Sequence, residues 1–331
     1  AAIVDEAAQM TLPATLGALR LARRFILIGD HKQLPPVVIS EPRFDRQPDP
    51  AGLPGPAPES LPGAARCALP GGSPGELPAP DELAAPAGPP IPGGGPGSDW
   101  SQARLSTSLF ELLYRHLKTH CPQAVVDLNE QYRMNAAICA IPRRLWYDDD
   151  LRPAGSEIAQ ARMGLLKPPP PGHRLGAALD PDQPVVFLDI PWGPGWCGAR
   201  TNQREAQTVA ELIEAFIDLG LNLDDAGVIA PFRAQVALVR RALAERLPAE
   251  QHPRIRSLVD TVDRFQGQER SLVVLSLATH GAFIHDLLQD ERRLNVAITR
   301  ARHKLVILGD AGVLSISPRY AGLIEQCVVV A

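Results

Sequence analysis

Glu291-Arg-Arg-Leu-Asn-Val-Ala-Ile-Thr-Arg-Ala-Arg302 places four arginines around a short run of Leu, Val, Ala and Ile. Leu294, Ala297, Ile298 and Ala301 recur at helical spacing, which predicts a helix over 292–302. Arg293 and Arg300, seven apart, would then lie nearly on one line of that helix. Four further blocks precede this one: Val4-Asp-Glu-Ala-Ala-Gln9, Gly29-Asp-His-Lys-Gln-Leu-Pro-Pro36, Glu130-Gln-Tyr-Arg-Met134 and Thr261-Val-Asp-Arg-Phe-Gln-Gly-Gln-Glu269.

Working outward, apolar runs of strand length alternate with amphipathic stretches. The strands expected are Ala2–Val4, Phe25–Ile28, Val125–Leu128, Val185–Ile190, Gly227–Ile229, Ser271–Leu277 and Lys304–Leu308. The helices expected are Leu109–Leu117, Ala136–Trp146, Gln203–Leu219 and Arg233–Arg246. Strand–helix alternation of this kind argues for parallel α/β sheets covered on both faces. In the helix from Gln203, the stripe Ala206, Val209, Ala210, Ile213, Phe216 and Ile217 reads as core packing.

Residues 41–100 break the pattern. They hold 16 of the 34 prolines and 11 of the 27 glycines, with few aromatic or β-branched residues. Such a segment cannot bury enough apolar surface to offset its ordering entropy, so a disordered insertion is expected there. A surface linker and a partner-binding or strand-guiding insertion both fit that composition.

Bulk properties narrow the class. At 331 residues the chain can hold two cores of ordinary size. No apolar run reaches the roughly 20 residues of a membrane span, and the N-terminus carries no basic-then-apolar signal pattern. Five cysteines, none in a C-x-x-C pair, argue against a zinc or iron–sulfur site, and His31, His173, His280, His285 and His303 show no metal-ligand spacing. Scattered thiols suit a reducing compartment, and a cytoplasmic location is expected. The formal charge of −4 does not exclude nucleic-acid binding, because a local channel can do that work.

Five blocks in this order resemble the superfamily 1 helicases of the Upf-type (1B) branch, ATP-driven translocases on nucleic acid. The resemblance covers about four-fifths of the chain, leaving out the 41–100 insertion and some loops. It implies an α/β fold of RecA-like P-loop NTPase lobes with parallel sheets. Residues 1–118 would be the C-terminal part of the first lobe and 119–331 the second. The family's phosphate-cradling loop ending in Gly-Lys-Ser/Thr, the Walker A block, does not occur in this sequence. The chain is therefore expected to be the later part of a motor, whose Walker A loop lies in an N-terminal region ahead of Ala1.

The resemblance also assigns roles. Asp5 would hold Mg2+ and Glu6 would orient or deprotonate the attacking water, the chemistry wanted of carboxylates at the end of a buried strand. Gln9 would contact the nucleotide, and Gln33 would sense the γ-phosphate. Arg133 would reach that phosphate across the cleft, and Arg300 would be the arginine finger. A guanidinium suits both because it stays charged and can grip phosphate oxygens in pairs. Arg293 and Arg302 would brace the helix or neighbouring acids.

Gly267 and Glu269 would touch the nucleotide, the latter at its ribose, while Thr261 and Gln266 would contact the nucleic-acid backbone. Gly227-Val-Ile-Ala-Pro-Phe-Arg-Ala-Gln235 matches another strand-binding block, with Pro231 and Phe232 as its contacts. The family often has Thr where this chain has Ala230, so a hydroxyl contact is missing there. The implied cofactors are ATP and Mg2+, and the implied partner is single-stranded nucleic acid, DNA or RNA, travelled 5′→3′. One alternative is a truncated module that binds nucleic acid or a partner without turning over ATP. A small-molecule Rossmann enzyme is disfavoured by the lack of a Gly-x-Gly-x-x-Gly turn.

Overall fold

The structure is a computed structural model describing residues 1–36, 108–193, 195, 197–198, 200–279 and 290–330. The Pro/Gly-rich insertion expected at 41–100 lies outside the described residues. Residues 1–37 and 107–331 form one compact unit.

The expected strands at Val185–Ile190, Gly227–Ile229, Ser271–Leu277 and Lys304–Leu308 all form, with small shifts of their ends. Val328–Val330, Val185–Asp189, Ala301–Gly309, Arg270–Ser276, Ala226–Ile229 and Val259–Asp260 lie in that order in one six-stranded sheet. Every neighbouring pair is parallel. The period-2 alternation of a strand sorts its residues onto two faces. Val186, Leu188, Leu272, Val274, Val306 and Leu308 join one buried cluster. Their neighbours Val185, Phe187, Val273, Leu275, Leu305 and Ile307 join the other. A strand apolar on both faces is what a sheet covered on both sides requires.

The first cluster is closed by helices Gln203–Asp218 and Arg233–Arg246. Asn202 starts the former by accepting a hydrogen bond from the Glu205 backbone at 3.0 Å. The predicted stripe packs inward, Ala206, Val209, Ala210, Ile213 and Phe216 being fully buried. The second cluster is closed by helices Ala136–Trp146, Glu291–Ile298 and Pro318–Ile324. A separate parallel pair, Ala2–Val4 with Phe25–Leu27, supplies the N-terminal part of the unit.

Three expectations are corrected. Val125–Leu128 forms no strand; Val126 and Leu128 are exposed, and no described strand pairs with them. The edge strand Val328–Val330 was not anticipated, since three valines alone carry no periodicity. The helix predicted over 292–302 ends at Ile298, and the chain enters the sheet at Ala301, paired with Arg270. The β-prone run Lys304–Leu308 pulls its leading residues into the sheet, so Arg300 sits in the connecting turn and shares no helix line with Arg293.

Candidate nucleotide cleft

In a parallel sheet all strands start at one edge and finish at the other. Glu269 immediately precedes the Arg270–Ser276 strand, and Arg300 precedes its neighbour, so both lie at the starting edge. Ala230, Thr261 and Leu277 follow their strands at the finishing edge.

Arg133 reaches the starting edge from the Glu130–Met134 block. The Gln131 amide oxygen locks that turn, accepting from the backbone of Arg133 at 2.8 Å and of Met134 at 2.7 Å. The backbone N–H of Asn135 then donates to the Arg302 carbonyl at 3.0 Å, laying the block beside the strand. So placed, Arg133 pairs with Glu269 at 2.7 Å and donates to the Thr299 carbonyl at 3.0 Å. Arg302 approaches the other Glu269 oxygen at 3.4 Å. The Arg133 hydrogen bond, reinforced by the charges of Arg302 and Arg300, holds the Glu269 carboxyl below its ordinary range.

Arg300 is different. It is only 3% exposed, and among the described residues its hydrogen-bond partners are all neutral. They are the Val296 carbonyl at 3.0 Å, the Thr299 hydroxyl at 3.2 Å, the Gln268 carbonyl at 3.4 Å and the Gln33 amide oxygen at 3.5 Å. Burial, with Arg133 nearby, lowers its pKa to about 10, while Glu6 and Glu269 oppose that shift. It is charged at neutral pH. A buried guanidinium held by carbonyl, amide and hydroxyl oxygens, with no described carboxylate in hydrogen-bond reach, is prepared for an anion.

The facing side comes from the two-stranded pair. Gly29 abuts the other strand's exit so closely that a Cβ would lie 2.8 Å from the Ala8 nitrogen. Asp5 and Glu6 follow Val4 and are exposed. Glu6 has a left-handed backbone with φ 52°, an uncommon state for a residue other than glycine or asparagine. Its backbone N–H donates to Asp5 at 2.9 Å, and its carboxylate accepts from the Gln9 amide. Asp30 accepts from the Lys32 backbone at 2.9 Å and from the Gln33 side chain at 3.0 Å.

The structure therefore brings Gln33, Arg133, Glu269 and Arg300 together, with Glu6 close enough to support the Arg300 charge. Gln9 is engaged with Glu6. Pro231 and Thr261 lie at the opposite edge. Phe232 is 4% exposed, which corrects the expectation of a ring offered to a base; it is buried at the start of the Arg233–Arg246 helix. Gln266 carries a buried amide nitrogen with no partner, and Gly267 turns with φ 75°.

Three residues of the cleft escaped sequence reasoning. Asp30 lay inside a quoted block, but its role depends on Tyr147, whose hydroxyl donates to the same carboxylate. Asn295 is fully buried and donates to both the Tyr147 oxygen and the Lys32 carbonyl at 3.0 Å. A polar residue inside the apolar stretch Leu294–Ile298 was the available signal for it.

The carboxylates fit the cofactors implied. Mg2+ is commonly held by one or two carboxylates plus water and substrate phosphate rather than by a protein cage. Adjacent, exposed Asp5 and Glu6 offer such a donor set. Among the described residues no group of three or more metal-ligating side chains occurs.

Residues 105–312 match a family model described as AAA domain, and residues 1–41 match a second with the same description. The chain belongs to this AAA-domain family, within the superfamily 1 helicases. The DNA replication ATP-dependent helicase/nuclease DNA2 of Mus musculus is 31% identical over 342 residues, covering 98% of this chain and 26% of the relative. Its namesake in Homo sapiens is 29% identical, with the same two coverages. That of Schizosaccharomyces pombe is 28% identical over 330 residues, covering 95% of this chain and 19% of the relative. The chain thus spans about a quarter or less of the length of these curated relatives. Among solved structures, the PRRSV helicase aligns with a TM-score of 0.37 at 14% identity, covering 93% of this chain and 34% of that one. An Arterivirus nonstructural protein 10 helicase in complex with DNA gives 0.36 at 15% identity, covering 95% and 41%.

Proposed function

We propose that this chain is the greater part of an ATP-hydrolysing motor that moves along single-stranded nucleic acid. One observation carries the reading: among the described residues the buried, charged Arg300 has only neutral hydrogen-bond partners, and it meets Gln33 of the facing segment at 3.5 Å. A γ-phosphate entering between them would complete the charge balance.

Each residue then has a task. Arg300 stabilises negative charge that grows as the phosphoryl group leaves, the larger effect in a water-poor site. Arg133 exchanges part of its pairing with Glu269 for phosphate, and Glu269 is left to accept from the nucleotide ribose. Glu6 orients or deprotonates the attacking water, with Gln9 fixing its carboxylate. Asp5 would hold Mg2+ through its water shell, and bound Mg2+ supplies charge neutralisation on the phosphates. No Gly-Lys-Ser/Thr loop occurs in these 331 residues, so the β-phosphate cradle is assigned to a segment ahead of Ala1 in a longer polypeptide.

The opposite edge would meet nucleic acid. Thr261 opens the short helix Val262–Phe265, and the chain reaches Glu269 four residues after its end. One block thus runs from the finishing edge, with Pro231 and Thr261, to the cleft, with Gln266 and Gly267 between. The names of the relatives favour DNA as the strand. Cys121, Cys139 and Cys327 are free thiols, which suits a reducing compartment. No described helix is long and apolar enough to cross a membrane.

The test is nucleic-acid-stimulated ATP hydrolysis. The full-length polypeptide should turn over ATP at about 1 s⁻¹ or faster with single-stranded DNA present, while residues 1–331 alone stay at background. Comparable turnover by the 331 residues alone would overturn the assignment of the missing cradle. No stimulation of the full-length protein would overturn the motor.

A further inference from the structure

The Tyr147 hydroxyl sits between two groups of the cleft. It donates to Asp30 Oδ2 and accepts from Asn295 Nδ2 at 3.0 Å. Asp30 Oδ2 also accepts from Gln33 Nε2 at 3.0 Å. A carboxylate only accepts, so this bond commits the amide nitrogen of Gln33 to Asp30 and turns its oxygen towards Arg300 Nη2. Arg300 returns to the same helix through its Nε bond to Val296, the residue after Asn295. The path closes as a ring: Asn295, Tyr147, Asp30, Gln33, Arg300 and back through one turn of helix.

We propose that Tyr147 is a positioning residue for ATP hydrolysis, setting Gln33 and Arg300 through Asp30 and Asn295. This rests on the motor reading of the cleft. The ring joins the turn after the Phe25–Leu27 strand to the Glu291–Ile298 helix, and Asn295 pins it a second time at the Lys32 carbonyl. Asn295 is fully buried, and its Oδ1 has no partner among the described residues. Without the Tyr147 oxygen its amide would keep one bond of the two, and Asp30 would lose one of its donors. Gln33 would then be free to swing, and Arg300 would lose its link to the facing segment. Burial and the Asp30 charge raise the Tyr147 pKa, so the hydroxyl remains a donor at any working pH.

Tyr147→Phe keeps the ring and removes only the bridge. In the full-length polypeptide it should lower kcat about 10- to 100-fold, the cost of a lost hydrogen bond to a charged group, with ATP KM within about 2-fold. Asp30→Asn, which keeps the side-chain shape, should fall in the same direction. The decisive comparison is the double variant Tyr147→Phe with Gln33→Ala. If Tyr147 acts through Gln33, the pair should be no slower than Gln33→Ala alone, because coupled residues are not additive. Losses that multiply in the double variant, or wild-type turnover by Tyr147→Phe, would overturn the proposal. An inactive wild type, or Arg300→Ala at full activity, would instead overturn the motor reading, so the two failures are distinguishable. Melting temperatures of all variants separate a lost fold from a lost bridge.

Discussion

The two ends of the Arg270–Ser276 strand hold carboxylates by opposite means. At its start Glu269 is about 42% exposed and lies between Arg133 and Arg302, which lower its pKa. Beyond its end Glu205 is fully buried and pairs with no cation among the described residues. It accepts from the Ser276 hydroxyl and the Ala278 backbone at 2.8 Å, from the Thr279 backbone and hydroxyl at 3.0 and 3.1 Å, and from Asn202 at 3.2 Å. Burial pushes its pKa up to about 7 despite those five donors. The lesson concerns function. Ion pairs beside solvent can be exchanged for a ligand's phosphate at small cost, whereas a dry hydrogen-bonded carboxylate fixes one geometry. On the proposed motor reading the cleft end would respond to nucleotide, while the Glu205 end would hold the strand exits still. Gln235 extends that rigidity by bonding Asn202 and Ser276, and Ala278 takes φ 53° under two of the Glu205 bonds.

The contrast is broken most severely at its buried end. Glu205→Ala leaves the N–H groups of Asn202, Ala278 and Thr279 without that acceptor in a dry site. An unpaired buried donor costs about 1–3 kcal/mol, and partial relaxation brings the sum to on the order of 4 kcal/mol. Urea unfolding measures this, and a loss under about 1 kcal/mol would mean the network is no brace.

A second test uses pH, where the two acids should act with opposite sign. The Glu205 pKa is raised from 4.5 to about 7, so between those values the unfolded chain releases a proton that the folded chain keeps. Its contribution to stability therefore falls as pH rises through that window and is level above it. The Glu269 pKa is lowered, so its contribution is present above the ordinary 4.5 and is lost as pH falls towards the folded value. Urea midpoints from about pH 3 to 8 should show Glu205→Gln flattening the limb between 4.5 and about 7 and Glu269→Gln the limb below 4.5. Both variants altering one limb would contradict the assignment.

The smallest effect is expected from Arg302→Ala, which removes one partner of a solvent-facing pair and should cost under about 1 kcal/mol in stability. A cost comparable to that of Glu205→Ala would erase the distinction between the two ends.

These same ends show what the sequence made legible. The strands Val185–Asp189, Arg270–Ser276 and Ala301–Gly309 were readable because each is apolar on both faces, which a central strand must be. The blocks holding Gln33, Arg133, Glu269 and Arg300 were readable as family motifs. The helix boundary at Ile298 was not, because the 3.6-residue stripe continues through Ala301 while the sheet competes for the same residues. Glu205 and Tyr147 were invisible for another reason. Apart from Asn202 beside Glu205, each acts through partners 70 or more residues away, and neither type of side chain is unusual at a helix start or a helix end.

The central claim is that Arg300, not its neighbours, meets the charge that develops during phosphoryl transfer. Turnover and nucleotide affinity of Arg300→Ala and Arg302→Ala, in the full-length polypeptide with single-stranded DNA, test it most directly. Arg300→Ala should lose about 10³-fold in turnover with ATP affinity nearly intact, since the charge it meets grows only in the transition state. Arg302→Ala should stay within about 10-fold of wild type. Normal turnover by Arg300→Ala, or an equally inactive but folded Arg302→Ala, would contradict the account.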